Sequence, residues 1–261
     1  MGKDFNMRFY ASLSGEPMPP YIYPHHIERE IELFILVEGD ISFAVESRVY
    51  RMQRGDIIIT RPNEMHHCIR NSTTVNHHYC FHFDPSCEKI FSPFLEHNLG
   101  ADNLISPTDD DRELILSLAD RIVRSAEEEG DELLRLSLTL EMLATVKRGI
   151  GKKANPEKLP EPLEAVLSEI DEHLADATLL DDICSRNFIS RSTLTRLFKK
   201  HLGTTPRMYL ESKRLAASGR MLASGMSVSA TCRAVGFVDT SSFIRLFKRR
   251  FGETPLKYAK K

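Results

Sequence analysis

The sequence predicts a two-domain fold: an all-β barrel in front, followed by helices, and an all-α rear domain built on a repeated unit. Three observations carry this. Short β-type runs broken by turn residues fill 20–107, the apolar period becomes helical from Asp109, and "RLFKKHLGTTPRMY" (196–209) returns as "RLFKRRFGETPLKY" (245–258) at an offset of 49 residues. A chain of 261 residues has room for two such units, each with its own core.

In the front domain, "IELFILVEGDISFAVESRVYRMQRGDIIITRPNEMHHCI" breaks at Glu38-Gly39-Asp40, Arg54-Gly55-Asp56 and Arg61-Pro62-Asn63. Turns at this spacing favour a sandwich or small barrel. "VNHHYCFHF" alternates, with Tyr79, Phe81 and Phe83 on one face and His78, Cys80 and His82 on the other. The aromatic face reads as core and the polar face as the lining of a cavity.

Leu114, Leu118 and Ile122, then Leu133, Leu136, Leu140 and Leu143, fall at helical spacing on either side of "EEEGDE". They predict two helices over 108–148 that pack on the barrel or pair with a second copy. "RGIGKKANPEKLPEP" (148–162) is rich in Gly, Pro and Lys with little to bury, and 149–162 reads as a linker. The domains are thus 1–107, 108–148, the linker and 163–261. Rear helices are expected at Leu163–Leu174, Leu180–Asn187, Ser192–Leu202, Pro206–Ala223, Val228–Val235 and Ser241–Phe251, with Ser190 and Asp239 as N-caps.

The net charge of −2 conceals a division. From Ile183 to Lys261 there are 17 Lys and Arg against three acids, a net +14 that leaves −16 on the remainder. A basic folded end on an acidic body points to a polyanion as partner of that end alone. Five cysteines, Cys68, Cys80, Cys87, Cys184 and Cys232, show no C-x-x-C spacing, which fits reduced thiols in a cytoplasm better than a disulfide frame. No run of 18 uncharged apolar residues occurs, so the expectation is a soluble protein with no membrane partner.

Each repeat pairs a short helix with a second helix carrying basic residues outward. Leu194, Leu197 and Phe198, matched by Phe243, Leu246 and Phe247, form the buried stripe. Cys184 and Cys232 read as small packing residues where two helices cross. This is the pattern of a helix-turn-helix, whose second helix offers polar side chains from its N-terminal half to base edges. Arginine suits guanine O6 and N7, and hydroxyls suit either donor or acceptor. Lys199, Lys200, Lys248, Arg249 and Arg250 come later on the helices, where phosphate contact is expected.

The rear domain resembles the DNA-binding domain of AraC/XylS-type transcription regulators over Leu163 to Lys261. The residues that carry the resemblance are "STLTRLFKKHLG", "YLESKRLAASGRML" and "VGFVDTSSFIRLFKRRFGETPLKY". It implies two helix-turn-helix motifs joined by one long helix, Pro206 to Ala223. Base reading then falls on Arg191, Ser192, Thr195 and Arg196, and on Thr240, Ser241, Ser242 and Arg245. Two departures stand out: Thr231 replaces the usual aliphatic residue, and Asn187-Phe188 replaces a turn glycine.

The front domain resembles the cupin-like sensor of many such regulators through "HHIEREIELFILVEG" and "GDIIITRPNEMHH". That resemblance implies a small effector, carbohydrate-like in many members, lined by His25, His26, Glu32, His66, His78 and His82. Cupin enzymes hold a metal through three His and a Glu. His26, Glu28 or Glu32, and His66 or His67 lie near those places, but His26-Ile27-Glu28 breaks the His-x-His element, so no metal or other cofactor is expected. The function implied is a non-enzymatic, effector-controlled transcription regulator acting on double-stranded promoter DNA as a homodimer, with RNA polymerase as a further partner. The alternative is a metal-dependent cupin enzyme carrying a nucleic-acid module.

Overall fold

The computed structural model describes residues 7–14, 26–84, 88–127, 132–150, 155–176 and 179–260. Strands β1 (Met7–Ser14), β2 (Ile31–Glu38), β3 (Ile41–Val45), β4 (Arg48–Arg51), β5 (Ile57–Thr60), β6 (His66–Arg70) and β7 (Asn76–Phe83) precede helix α1 (Glu88–Leu95) and the short β8 (Leu104–Ile105). They form two antiparallel sheets, of order β1-β7-β2-β5-β8 and β4-β3-β6. Helices α2 (Asp109–Glu127) and α3 (Glu132–Lys147) follow. The rear domain holds α4 (Glu161–Glu172), α5 (Leu179–Arg186), α6 (Arg191–Leu202), α7 (Pro206–Ala223), α8 (Val228–Ala234), α9 (Thr240–Phe251) and α10 (Pro255–Tyr258). Among the described residues no helix is long and apolar enough to cross a membrane. Cys68, Cys80, Cys184 and Cys232 are free thiols, and Cys87 lies outside the described residues.

Strand alternation sorts the side chains into three cores. Ile31, Leu33 and Ile35 of β2, with Tyr79, Phe81 and Phe83 of β7, pack against α1, α2 and α3. Phe34 and Leu36 point the other way, into the barrel, where Phe43, Val45, Tyr50 and Cys68 of the small sheet meet them. The small sheet is also buried on its second face. Ala44, Val49 and Ile69, with Ile27 and Met65 nearby, share a core with Leu163, Phe198, Leu202, Tyr209 and Leu215 of the rear domain. Fully buried strands β3, β5 and β6 follow from this two-sided covering.

The expected stripe of the paired helices is corrected in part. Ile115, Leu118, Ala119 and Ile122, with Leu138, Met142, Leu143 and Val146, are buried, whereas Leu114, Leu133, Leu134 and Leu140 are exposed, Leu133 at 72%. Leucines lie on two faces of α3, and spacing alone does not distinguish them. The expected linker also buries more than its composition suggests. Leu159 enters the rear core, and the Glu157 N–H donates to the Val49 carbonyl at 2.7 Å.

The repeat is not rigid. The Phe188 and Ile189 N–H groups close the first turn onto Ser185 and Cys184, as Gly236 and Phe237 do onto Arg233 and Cys232. The first helices are therefore offset by 48 residues and the recognition helices by 49, the second turn holding one extra residue. This pairs Cys184 with Cys232 and Ile183 with Thr231, both of the latter buried. Gly236 has φ +81° with the Ala175 carbonyl only 2.3 Å from where a Cβ would stand, so glycine is required there. Phe188 takes the matching left-handed conformation, φ +51°, at about 1 kcal/mol, and its ring is 96% exposed.

A polar seam rims the shared core. Lys213 Nζ of α7 lies 2.6 Å from Glu46 on the barrel and 2.6 Å from Asp171. Burial would lower the ammonium pKa, but the surrounding acidic groups outweigh it and hold the lysine charged. Arg220 donates to the Asn63 carbonyl at 2.8 Å, Tyr258 hydrogen-bonds the Asn63 side chain, and Arg29 lies 3.2 Å over the Tyr258 ring. Gly219 permits this approach, since a Cβ there would stand 2.7 Å from Asn63 Oδ1.

Two stability outcomes follow. Lys213→Met leaves Glu46 buried with Arg220 at 3.8 Å, and should cost about 3 kcal/mol in denaturant unfolding. Adding Glu46→Gln should restore most of that loss, whereas additive losses would contradict the pairing. Thr231 Oγ1 is buried without a hydrogen-bond partner among the described residues, so Thr231→Val should raise stability by about 1 kcal/mol, read as a higher Tm.

Candidate functional site

Both recognition helices begin at side-chain caps. Ser190 Oγ accepts the Thr193 N–H at 3.1 Å, and the Asp239 carboxylate accepts those of Ser241 and Ser242 at 3.1 and 2.8 Å. Each helix ends at a left-handed glycine, Gly203 or Gly252, with basic residues in its last turn, Lys199 and Lys200 in α6 and Lys248, Arg249 and Arg250 in α9. Leu194 and Phe198, like Phe243 and Phe247, face the core, which turns the polar residues outward.

Arg191, Ser192, Arg196, Thr240, Ser241 and Arg245 are exposed, and Thr195 and Ser242 are half-buried. A shallow groove of about 690 Å³ runs along α6 past Arg191, Ser192, Thr195, Arg196, Lys199 and Lys200. A second groove, of about 660 Å³, is bordered by Arg191 of α6, Arg207 of α7, and Arg245 and Arg249 of α9. The two recognition helices thus open onto one side of the domain with α7 between them. Arg207 was not among the expected contacts, because it lies on the connecting helix and outside the repeated polar positions.

Some expected roles change. Arg250 is half-buried and donates to Ser212 on α7 at 2.9 Å, so it holds the helices together where phosphate contact was expected. The Thr195 hydroxyl donates to the Arg191 carbonyl at 2.8 Å, leaving its methyl and its acceptor lone pairs for any base. Arg191 pairs with Asp181 and Arg249 with Glu211, so both would exchange partners on meeting DNA. Lys199, Lys200 and Lys248 remain exposed.

The barrel places Glu32, His66, His78 and His82 on its inner side, and half-buried His26 beside them; His25 lies outside the described residues. Glu32 Oε2 is 3.2 Å from His66 Nε2 and 3.9 Å from His26 Nε2. Burial favours the neutral carboxyl, but the charge and hydrogen bond of His66, with His26 and His82, hold Glu32 well below the usual carboxylate range. Burial likewise opposes the imidazolium of His66, yet Glu32 raises it to about 9. His78 stacks on Phe34 at 4.4 Å, and burial takes it down to about 4.

His67 does not join this cluster. It lies on the opposite face of β6, where its Nε2–H donates to the Leu202 carbonyl at the end of α6 across 2.8 Å. Burial keeps it neutral, with its pKa down to about 3. Of the adjacent pair His66 and His67, only His66 faces Glu32, because β6 alternates from that residue onward. Cys80 and Glu28 also reach the cluster, Cys80 Sγ lying 3.4 Å from His82 Nε2 and Glu28 Oε2 3.0 Å from His82 Nδ1.

The architecture agrees with two family models, a helix-turn-helix domain over residues 183–261 and a cupin domain over residues 15–81. The chain is similar to the HTH-type transcriptional regulator YbfI of Bacillus subtilis strain 168, with 25% identity over 210 residues covering 78% of this chain and 75% of that one. Among solved structures it is similar to fatty-acid-bound ToxT of Vibrio cholerae, at 13% identity, coverage of 99% and 97%, and TM-score 0.40. The C-terminal domain of the response regulator yesN of Fusobacterium nucleatum is 28% identical, covering 37% of this chain and 95% of that one at TM-score 0.35. The helix-turn-helix match marks the rear domain as DNA-binding.

For this interface, Arg196→Ala should cost about 1–3 kcal/mol on a selected site and relax preference at one base pair, measured by competition binding. Lys200→Ala should weaken all sequences alike and flatten the salt dependence by about one ion. Unchanged specificity with Arg196→Ala would remove it from the reading set.

Proposed function

We propose that this regulator reads promoter DNA with the N-terminal halves of α6 and α9, and that a small effector in the barrel controls the reading. The observation that carries it is the pair of capped, outward-facing helices opening onto one side of a domain whose residues 183–261 carry a net charge of +14. Arg191, Ser192, Thr195 and Arg196, with Thr240, Ser241, Ser242 and Arg245, are the base-reading set. Lys199, Lys200, Lys248 and Arg249 hold phosphates. The reading is of a regulator and not an enzyme.

The effector site is the inner cluster of Glu32, His66, His78 and His82, with His26 at its edge. These groups suit a small polar molecule, and the sequence resemblance implies a hydroxylated one such as a carbohydrate. The route to DNA is short. His66 faces the cluster, and the next residue, His67, holds the last carbonyl of α6. Displacement of β6 by a ligand therefore bears on the first recognition helix. The exposed Leu114, Leu133, Leu134 and Leu140 of α2 and α3 favour a second copy as partner on that face, and a promoter-bound dimer would meet RNA polymerase.

The test combines selection of binding sites from random duplexes with a thermal-shift screen of sugars and related metabolites. A selected site with two half-elements, bound more weakly as salt rises, and a stabilising metabolite that shifts its affinity, are the expected results. Binding with no sequence preference would overturn the base-reading assignment.

A further inference from the structure

Within the barrel cluster, three buried donors of different chemistry converge. Glu32 of β2 is 3% exposed, and Cys80 and His82 of β7 are 0% and 7% exposed. One carboxylate oxygen, the Cys80 sulfur and one His82 nitrogen all lie within 4.8 Å of one another. The registry that builds this is simple. Glu32 pairs directly with His82 across β2 and β7, Cys80 pairs with Phe34, and Cys80 and His82 share one face of β7.

We propose that Glu32, Cys80 and His82 form a binding site for a divalent transition metal ion of the zinc class. This rests on the reading of the barrel cluster as the regulator's effector site and adds a metal ion to that site beside the small molecule. Thiolate, imidazole and carboxylate together suit zinc and its neighbours and do not suit magnesium or calcium, which take oxygen donors. Bonds of about 2.0–2.3 Å in a tetrahedron set donors roughly 3.3–3.8 Å apart, and Cys80 Sγ stands 3.4 Å from His82 Nε2.

The surroundings orient each ligand. His82 turns Nε2 toward Cys80 and Nδ1 toward Glu28 Oε2, 3.0 Å away, the carboxylate–histidine arrangement that fixes a metal-binding tautomer. Glu32 Oε2 is held by His66 Nε2 at 3.2 Å. The second set, His26, Glu32 and His66, shares only Glu32 with the first, and its His26 is half-buried. Burial of all three donors and the Glu28 support favour the set with Cys80.

The experiment loads the full-length, metal-stripped chain with Co²⁺ and records its absorption, then competes the ion with Zn²⁺. A thiolate-to-cobalt band in the near ultraviolet, lost in Cys80→Ser and retained in Cys68→Ser, is expected. Glu28→Gln, which removes no ligand, should keep the band and weaken Co²⁺ about 10–100-fold. No binding, or binding without the thiolate band, would overturn the proposal, as would a band that survives Cys80→Ser. If Cys80→Ser fails to fold, His82→Gln gives the same reading. Binding of the selected DNA, measured on the same metal-free samples, separates the two readings: intact DNA binding with no metal site removes this inference alone, and loss of DNA recognition removes the regulator's base-reading assignment.

Discussion

The structure depends on a small three-stranded sheet that is buried on both faces. One face of β4-β3-β6 completes the barrel, and the other is the floor on which the DNA-binding domain rests. Strand alternation makes this possible with five- and four-residue segments, because successive side chains serve different cores. Phe43 and Cys68 look into the barrel while Ala44 and Ile69 look out to α6 and α7. A shift of one residue in β6 would exchange His66 with His67 and destroy both environments together.

The electrostatics of this sheet divide in the same way. Inward, His66 is charged beside Glu32; outward, its neighbour His67 is neutral and bonded to a helix carbonyl. The rim adds Lys213 between Glu46 and Asp171, a buried cation whose geometry ties the helix between the two recognition motifs to the barrel. Such pairs contribute less to net stability than to a defined arrangement, since desolvation opposes them. Here the arrangement they define is that of α6, α7 and α9, the elements of the proposed DNA interface.

Much of this was legible in the sequence, and the exceptions share a cause. The span of α7, Pro206–Ala223, was readable because Pro206 starts a helix readily and Gly225 lies just beyond its end. The caps Ser190 and Asp239 and the aromatic face of β7 are local patterns found as read, and the stripes of α6 and α9 hold except that Leu197 and Leu246 are half-buried at their edge. What the sequence concealed is non-local. Leu159 and Ile27 become core residues only because a second domain covers them, and Arg250 turns inward only because α7 passes beside it. The choice between His66 and His67 needed the register of β6, which adjacent histidines do not reveal. Cys80 was visible on the cavity face, but its approach to Glu32 depends on how β2 pairs with β7.

The central claim is that barrel and DNA-binding domain are one packed unit joined through the small sheet. Native-state amide hydrogen exchange on the full-length chain tests it most directly. The account predicts that amides of 41–45 and 66–70 in the sheet, and of 194–202 and 209–216 in the rear helices, open together at a common free energy. Separate opening, with the sheet amides exchanging while the rear helices stay protected, would contradict it.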